Sequence, residues 1–164
     1  MKNICFTLLL FCGVSFAASA QKDTTCTTIL KVMDLLREKE NRGQVKGAPV
    51  QVTQGSMGKV TSYKSKIEIP GMKDAVLVEG LSRVFKAYVD AATYEQAVKE
   101  IQSFNAKMHQ CFDGGWTFTE TNESKELYSS YKIARDKDML SSSAVKYYLE
   151  RNGTGFRLVL EIGY

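Results

Sequence analysis

The stretch that decides the fold is TYEQAVKEIQSFNAKMHQCF, residues 93–112. Its apolar residues recur at intervals of three and four, which places them on one face of a helix. They are Tyr94, Ala97, Val98, Ile101, Phe104, Met108, Cys111 and Phe112. Thr93 and Gln96 have the spacing of a capping box, and two glycines after the stretch are a stop signal. The pattern predicts an amphipathic helix whose apolar face must pack on other segments.

The segments on both sides of this helix alternate between apolar and polar residues, as half-buried strands do. The clearest alternation lies near the end of the chain, at Phe156, Leu158, Leu160 and Ile162. Asn152-Gly153 just before it is a strong hairpin signal. In total the periodicity predicts three strands before the helix and four after it.

A second helix is predicted for residues 24–40, with an apolar stripe at every third or fourth position. The expected order is α-β-β-β-α-β-β-β-β, a loose internal duplication of a helix followed by a strand meander. We therefore predict an α+β fold with two antiparallel helices packed on one face of a mostly antiparallel, curved β-sheet.

The first twenty residues predict a cleaved export signal. Lys2 gives a positive start, residues 4–16 are mostly apolar, and Ala18-Ser19-Ala20 is the small-residue pattern that signal peptidase reads. Cleavage after Ala20 leaves one globular α+β domain, residues 21–164, in the periplasm or outside the cell. No later apolar run is long enough to cross a membrane.

Cys26 and Cys111 are the cysteines that remain after the predicted cleavage. In an oxidising compartment two such cysteines are expected to form a disulfide. Cys26 lies near the start of the first helix and Cys111 at the end of the second, so the bond favours helices that run side by side in opposite directions. The chain-entropy model gives a stabilisation of roughly 4–5 kcal/mol for a loop of this length.

Residues 43–58 are predicted to form a glycine-rich loop. The segment contains four glycines and Pro49, and only Val50 and Val52 hint at a short edge strand. The loop is expected to be mobile, with a ligand lid as the second interpretation. It is not a phosphate cradle, because no Gly-Lys-Ser/Thr follows its glycines.

No pattern in the sequence predicts catalysis, a metal site or a cofactor. His109 is the one histidine, and Cys111 two residues later is on a different side of a helix and is expected to be bridged. One histidine and two cysteines do not make a closed zinc site, and calcium-loop spacing is absent. The net charge of +4 is dispersed, so no nucleic-acid partner is expected.

The strand residues that face away from the helices are the candidate partner-binding surface. Tyrosine and basic residues on an open sheet face suit protein recognition, although tyrosine also favours strands for its own sake. The candidates are Tyr88, Tyr128, Lys132, Lys146, Tyr148 and Val159.

These observations favour an exported, non-enzymatic protein-binding module, of the inhibitor, immunity-type or chaperone-like kind. The alternative is a small-molecule or lipid carrier with a pocket between helices and sheet, for which residues 43–58 would be the lid. An enzyme of unknown class is the third hypothesis, resting on His109 or on carboxylates in the predicted turns.

Overall fold

The computed structural model describes residues 23–55, 58–112, 114–121, 130–135 and 144–163. The predicted export signal lies outside the described residues. The helices are α1 (Thr24–Arg37), a 3₁₀ helix (Lys39–Gln44) and α2 (Tyr94–Cys111). The strands are β1 (Lys46–Gly55), β2 (Gly58–Ser65), β3 (Lys73–Glu79), β4 (Arg83–Ala91), β5 (Trp116–Thr121), β6 (Ser130–Arg135), β7 (Ala144–Asn152) and β8 (Gly155–Gly163).

All eight strands belong to one antiparallel sheet with the order β1-β2-β3-β4-β8-β7-β6-β5. Each half of the chain is a helix followed by a four-stranded meander, so the expected internal repeat is present at the level of element order. The two meanders join where β4 pairs with β8 over eight residue pairs. The α+β fold predicted from the sequence is confirmed.

Both helices lie on the same face of this sheet. Ala87, Leu160 and Tyr147 are aligned across β4, β8 and β7, and all three are fully buried. They form one apolar core with Ile29 of α1 and Met108 of α2. Alternation along the strands then directs the intervening side chains to the opposite face.

The predicted disulfide between Cys26 and Cys111 is formed, with 5.2 Å between the two Cα atoms. It joins the start of α1 to the end of α2. Close by, the Lys107 ammonium lies 3.2 Å from the carboxylate of Asp23, which also accepts a hydrogen bond from Thr25 N–H at the N-cap of α1. These hydrogen bonds, from Thr25 first and from Lys107, hold the pKa of Asp23 below its usual value.

The prediction of a long loop at residues 43–58 was wrong. Most of this segment is β1, an edge strand that pairs with β2 from Lys46 to Gly55. The ladder is irregular on both sides of Pro49, which an edge strand tolerates because one side of it needs no partner. Backbone pairing therefore forms a strand where the side chains show little alternation.

Gly47 is the residue that lets β1 approach β2 so closely. A Cβ atom at this position would lie 2.5 Å from the backbone oxygen of Lys64. Such a contact is far shorter than atoms tolerate, so any other residue must push the two strands apart. Gly43, which precedes β1, has open space at the equivalent position.

Gly47→Ala is predicted to destabilise the protein by about 1–3 kcal/mol, the usual cost of forcing extra atoms into a packed contact. Gly43→Ala is the matched control and is expected to change stability by less than about 0.5 kcal/mol. Urea unfolding of the two variants gives the comparison. Equal stabilities of Gly47→Ala and Gly43→Ala would contradict the close pairing of β1 with β2 at Gly47.

Candidate functional site

The sheet face opposite the helices is the candidate site, and we call it the bare face. No helix among the described residues packs on it. It is formed by outward side chains of the central strands and of β6: Lys86, Tyr88, Asp90, Lys132, Lys146, Tyr148, Arg157, Val159 and Glu161.

Three of the predicted partner-binding residues form one row across the middle of the bare face. Tyr88 on β4 and Tyr148 on β7 are both direct neighbours of Val159 on β8. Val159 is only 1% exposed although no helix covers it, whereas the two tyrosines are half-buried. Val159 faces away from the helices as predicted. It is buried between the two tyrosines and is not accessible to a partner.

The Tyr148 hydroxyl is fixed by a carboxylate next to it. It donates a hydrogen bond of 2.9 Å to Glu161 Oε1, and the same oxygen lies 2.6 Å from the Lys86 ammonium. Burial, together with the bond to Glu161, raises the pKa of Tyr148 well above its ordinary value. Tyr148 is therefore neutral at physiological pH and is held in one orientation.

The Tyr88 ring is held from the other side by a charged cluster. Its centroid lies 4.7 Å from the guanidinium carbon of Arg157, a cation–π contact. Arg157 Nε also donates to Asp90 Oδ1 at 2.8 Å, and the other oxygen of Asp90 lies 2.8 Å from the Lys73 ammonium. Hydrogen bonds from Lys73 and Arg157 lower the pKa of Asp90, because both favour its charged form.

Lys132 and Lys146 are direct cross-strand neighbours on β6 and β7, and both are exposed. Neither forms an ion pair with any residue in the described part of the chain. Adjacent like charges repel, so this pair stays solvated or takes an anionic partner. These two lysines are accessible cations of the bare face, and Lys64 on β2, which aligns with Lys86 through Val76, is another.

The structure thus brings five of the six predicted residues to one face, and Tyr128 lies outside the described residues. Sequence reasoning missed Asp90, Arg157 and Glu161. Arg157 and Glu161 share the outward parity of Val159, which alternation alone could have revealed. Their partners on β4 could not be found without the strand order.

Among the described residues, the histidine and the cysteine considered for catalysis are each engaged with another side chain. Cys111 is bonded to Cys26, and His109 is exposed and stacks on Phe118 with 3.9 Å between ring centroids. The turn carboxylates proposed from the sequence are mostly outside the described residues. Among the residues that are described, no group of three or more His, Cys, Asp and Glu side chains could hold a metal ion.

The space between helices and sheet is small. A cavity of about 130 Å³ lies between α2 and the sheet, lined by Thr25, Met72, Phe104 and Leu158 among others. Ligand pockets usually measure about 300–1,000 Å³. The segment expected to be the lid is β1, and none of its residues lines this cavity. A larger opening of about 570 Å³ lies elsewhere and is lined by Val50 of β1, Met72 and Val76 among others, so the carrier interpretation stays a hypothesis.

No protein-family model, curated protein or solved structure matches this chain. Within the described residues, none of the helices has the length and apolar character needed to span a bilayer.

Asp90→Asn tests whether the charged cluster under Tyr88 is formed in solution. Because the folded pKa of Asp90 is lowered, its contribution to stability is present at neutral pH and is lost as pH falls below about 4. We expect the variant to be less stable than wild type by about 1 kcal/mol at pH 7, the scale of partly exposed ion pairs. This difference in the free energy of unfolding should narrow as pH falls below about 4, because the carboxylate of Asp90 becomes protonated.

Asp34→Asn removes an exposed carboxylate from α1 and is the matched control for net charge. Urea unfolding across this pH range gives the free energy of unfolding of both variants and of wild type as a function of pH. If the free energy of unfolding of Asp90→Asn stays below that of wild type by the same amount at every pH, the assigned ion pairs are contradicted.

Proposed function

We propose that this chain is an exported, non-enzymatic protein-binding module that docks a partner protein on the bare face. The observation that carries the proposal is the row Tyr88–Val159–Tyr148, an ordered apolar and aromatic centre on a face without a helix. Aromatic residues and arginine are the side chains that dominate protein interfaces.

The size of the sheet supports a protein rather than a small ligand. Eight strands spaced about 4.8 Å apart, with a mean length of eight residues, span roughly 1,000 Å². A stable protein–protein interface buries about 800 Å² on each partner. A face of this size suits another protein surface.

The order within the bare face also favours binding. Glu161 fixes the Tyr148 hydroxyl, and Arg157 lies against the Tyr88 ring. Side chains that are already immobilised lose less conformational entropy on association. The free cations of Lys132 and Lys146 then attract an acidic partner surface and accelerate its encounter.

Export is part of the proposal, and the Cys26–Cys111 disulfide supports it. Such bonds persist in oxidising compartments outside the cytosol. A cleaved signal with the cut after Ala20 would deliver the protein to the periplasm or the exterior. There it would act as an inhibitor, an immunity-type protein or a chaperone-like carrier of its partner.

Lys132→Glu combined with Lys146→Glu is predicted to leave the fold intact and to reduce partner recovery about tenfold or more. Both side chains are exposed, so the change reverses the rim charge without touching the core. The measurement is affinity capture with the tagged protein from the envelope of its source cells, quantified by mass spectrometry.

The matched control is Lys31→Glu with Lys99→Glu, which reverses the same number of exposed charges on the two helices. It should recover the partner as wild type does. A single protein recovered in equal amounts with both double variants would place the interface somewhere other than the bare face.

A further inference from the structure

A concave surface lies on the helix side of the sheet, beyond the end of α1. Its opening of about 440 Å³ is lined by seven residues, which we call the basic pocket: Lys39, Arg42, Lys46, Lys59, Glu79, Gly80 and Arg83. Five of these residues are cationic and one is acidic. Such a concentration of positive charge differs from the dispersed charge seen along the sequence.

The single carboxylate of the basic pocket is already engaged. Glu79 lies 2.6 Å from the Lys46 ammonium, and this bond raises the pKa of Lys46. Lys46 also lies 3.8 Å from the centroid of the Tyr63 ring. One cation and one anion therefore cancel, and the four remaining cations have no carboxylate of their own in the basic pocket.

The elements that meet here explain why the cations converge. The 3₁₀ helix that follows α1 carries Lys39 and Arg42, and Arg42 Nε donates to the backbone oxygen of Leu36 at 3.3 Å. This bond fixes the guanidinium stem while its terminal nitrogens remain as donors. Lys39 lies on the same short helix, at its exposed start.

The sheet supplies the remaining charged side chains from four strands, with Lys46 on β1, Lys59 on β2, Glu79 on β3 and Arg83 on β4. Thr61, Glu79 and Arg83 are cross-strand neighbours, so Glu79 and Arg83 point to the same face. Lys59, two residues before Thr61, shares that direction. In the described part of the chain neither Lys59 nor Arg83 forms an ion pair.

We propose that the basic pocket binds a multiply charged phosphate-type oxyanion, either a free small molecule or the headgroup of a lipid. A concave surface lined by one sign of charge focuses the potential and concentrates counter-ions of opposite sign. The planar fork of arginine matches phosphate oxygens in a bidentate geometry, and lysines add point charges. The opening of about 440 Å³ lies within the usual range for ligand sites.

The basic pocket and the bare face lie on opposite sides of the sheet, so this inference does not depend on the proposed protein partner. The proposal of an oxyanion site and the proposal of partner docking are independent, so an experiment that contradicts one leaves the other unaffected. The test therefore compares a double variant of the basic pocket with a charge-matched double variant outside both surfaces.

Titration calorimetry with inorganic pyrophosphate at low salt is the first arm of the test. We expect saturable binding with one site, weakened about tenfold or more by Lys59→Gln combined with Arg83→Gln. The control Lys31→Gln with Lys99→Gln removes the same charge from exposed positions on the two helices and should bind as wild type does. Thermal unfolding of each variant confirms that it is folded.

Vesicle flotation is the second arm and distinguishes the two sources of phosphate. Vesicles of phosphatidylcholine with phosphatidic acid are compared with phosphatidylcholine alone. Binding to pyrophosphate assigns a soluble ligand, whereas binding only to phosphatidic acid vesicles, lost in the Lys59/Arg83 variant, assigns a headgroup. No binding in either arm, or equal losses in both double variants, would overturn the proposal.

Discussion

The pairing of β4 with β8 is the interaction on which the rest of this structure depends. Eight successive residue pairs, from Val84 opposite Gly163 to Ala91 opposite Phe156, join two four-stranded meanders into one sheet. On one side the seam presents Ala87 and Leu160 to the helices. On the other side it places Tyr88 beside Val159. The core and the bare face are thus two sides of the same junction.

A sheet face without a helix must satisfy its own polar groups and cover its own apolar ones. Here the tyrosines shield Val159, and their positions are fixed by Glu161 on one side and Arg157 on the other. The centre of the bare face is therefore ordered, and its charged side chains are paired with side chains of opposite charge. Lysines without an ion pair in the described part of the chain lie towards the margins, at Lys132 and Lys146 on one side and Lys64 on the other. This division between a rigid centre and a charged rim matches the anatomy of protein interfaces.

The sequence predicted most of the fold because its helices and inner strands carry strong periodicity. The apolar stripe on α2 and the alternation of β8 identified the buried sides of both elements. The expected Cys26–Cys111 bond predicted that the two helices lie side by side in opposite directions. β1 was missed because Gly47 and Pro49 give no alternation, and its strand character comes from backbone pairing with β2. The outward residues of the bare face could be assigned one strand at a time. The contacts between strands, such as Arg157 with Asp90, depend on a strand order that no local pattern encodes.

The central claim is that the bare face is where a partner protein docks. The most direct measurement places a photo-crosslinking amino acid at position 146 on the bare face or at position 99 on α2, in cells that produce the protein. The account predicts a discrete crosslinked protein from position 146 and none from position 99. Crosslinks to one protein from position 99 alone would contradict it and would assign the interface to the helices.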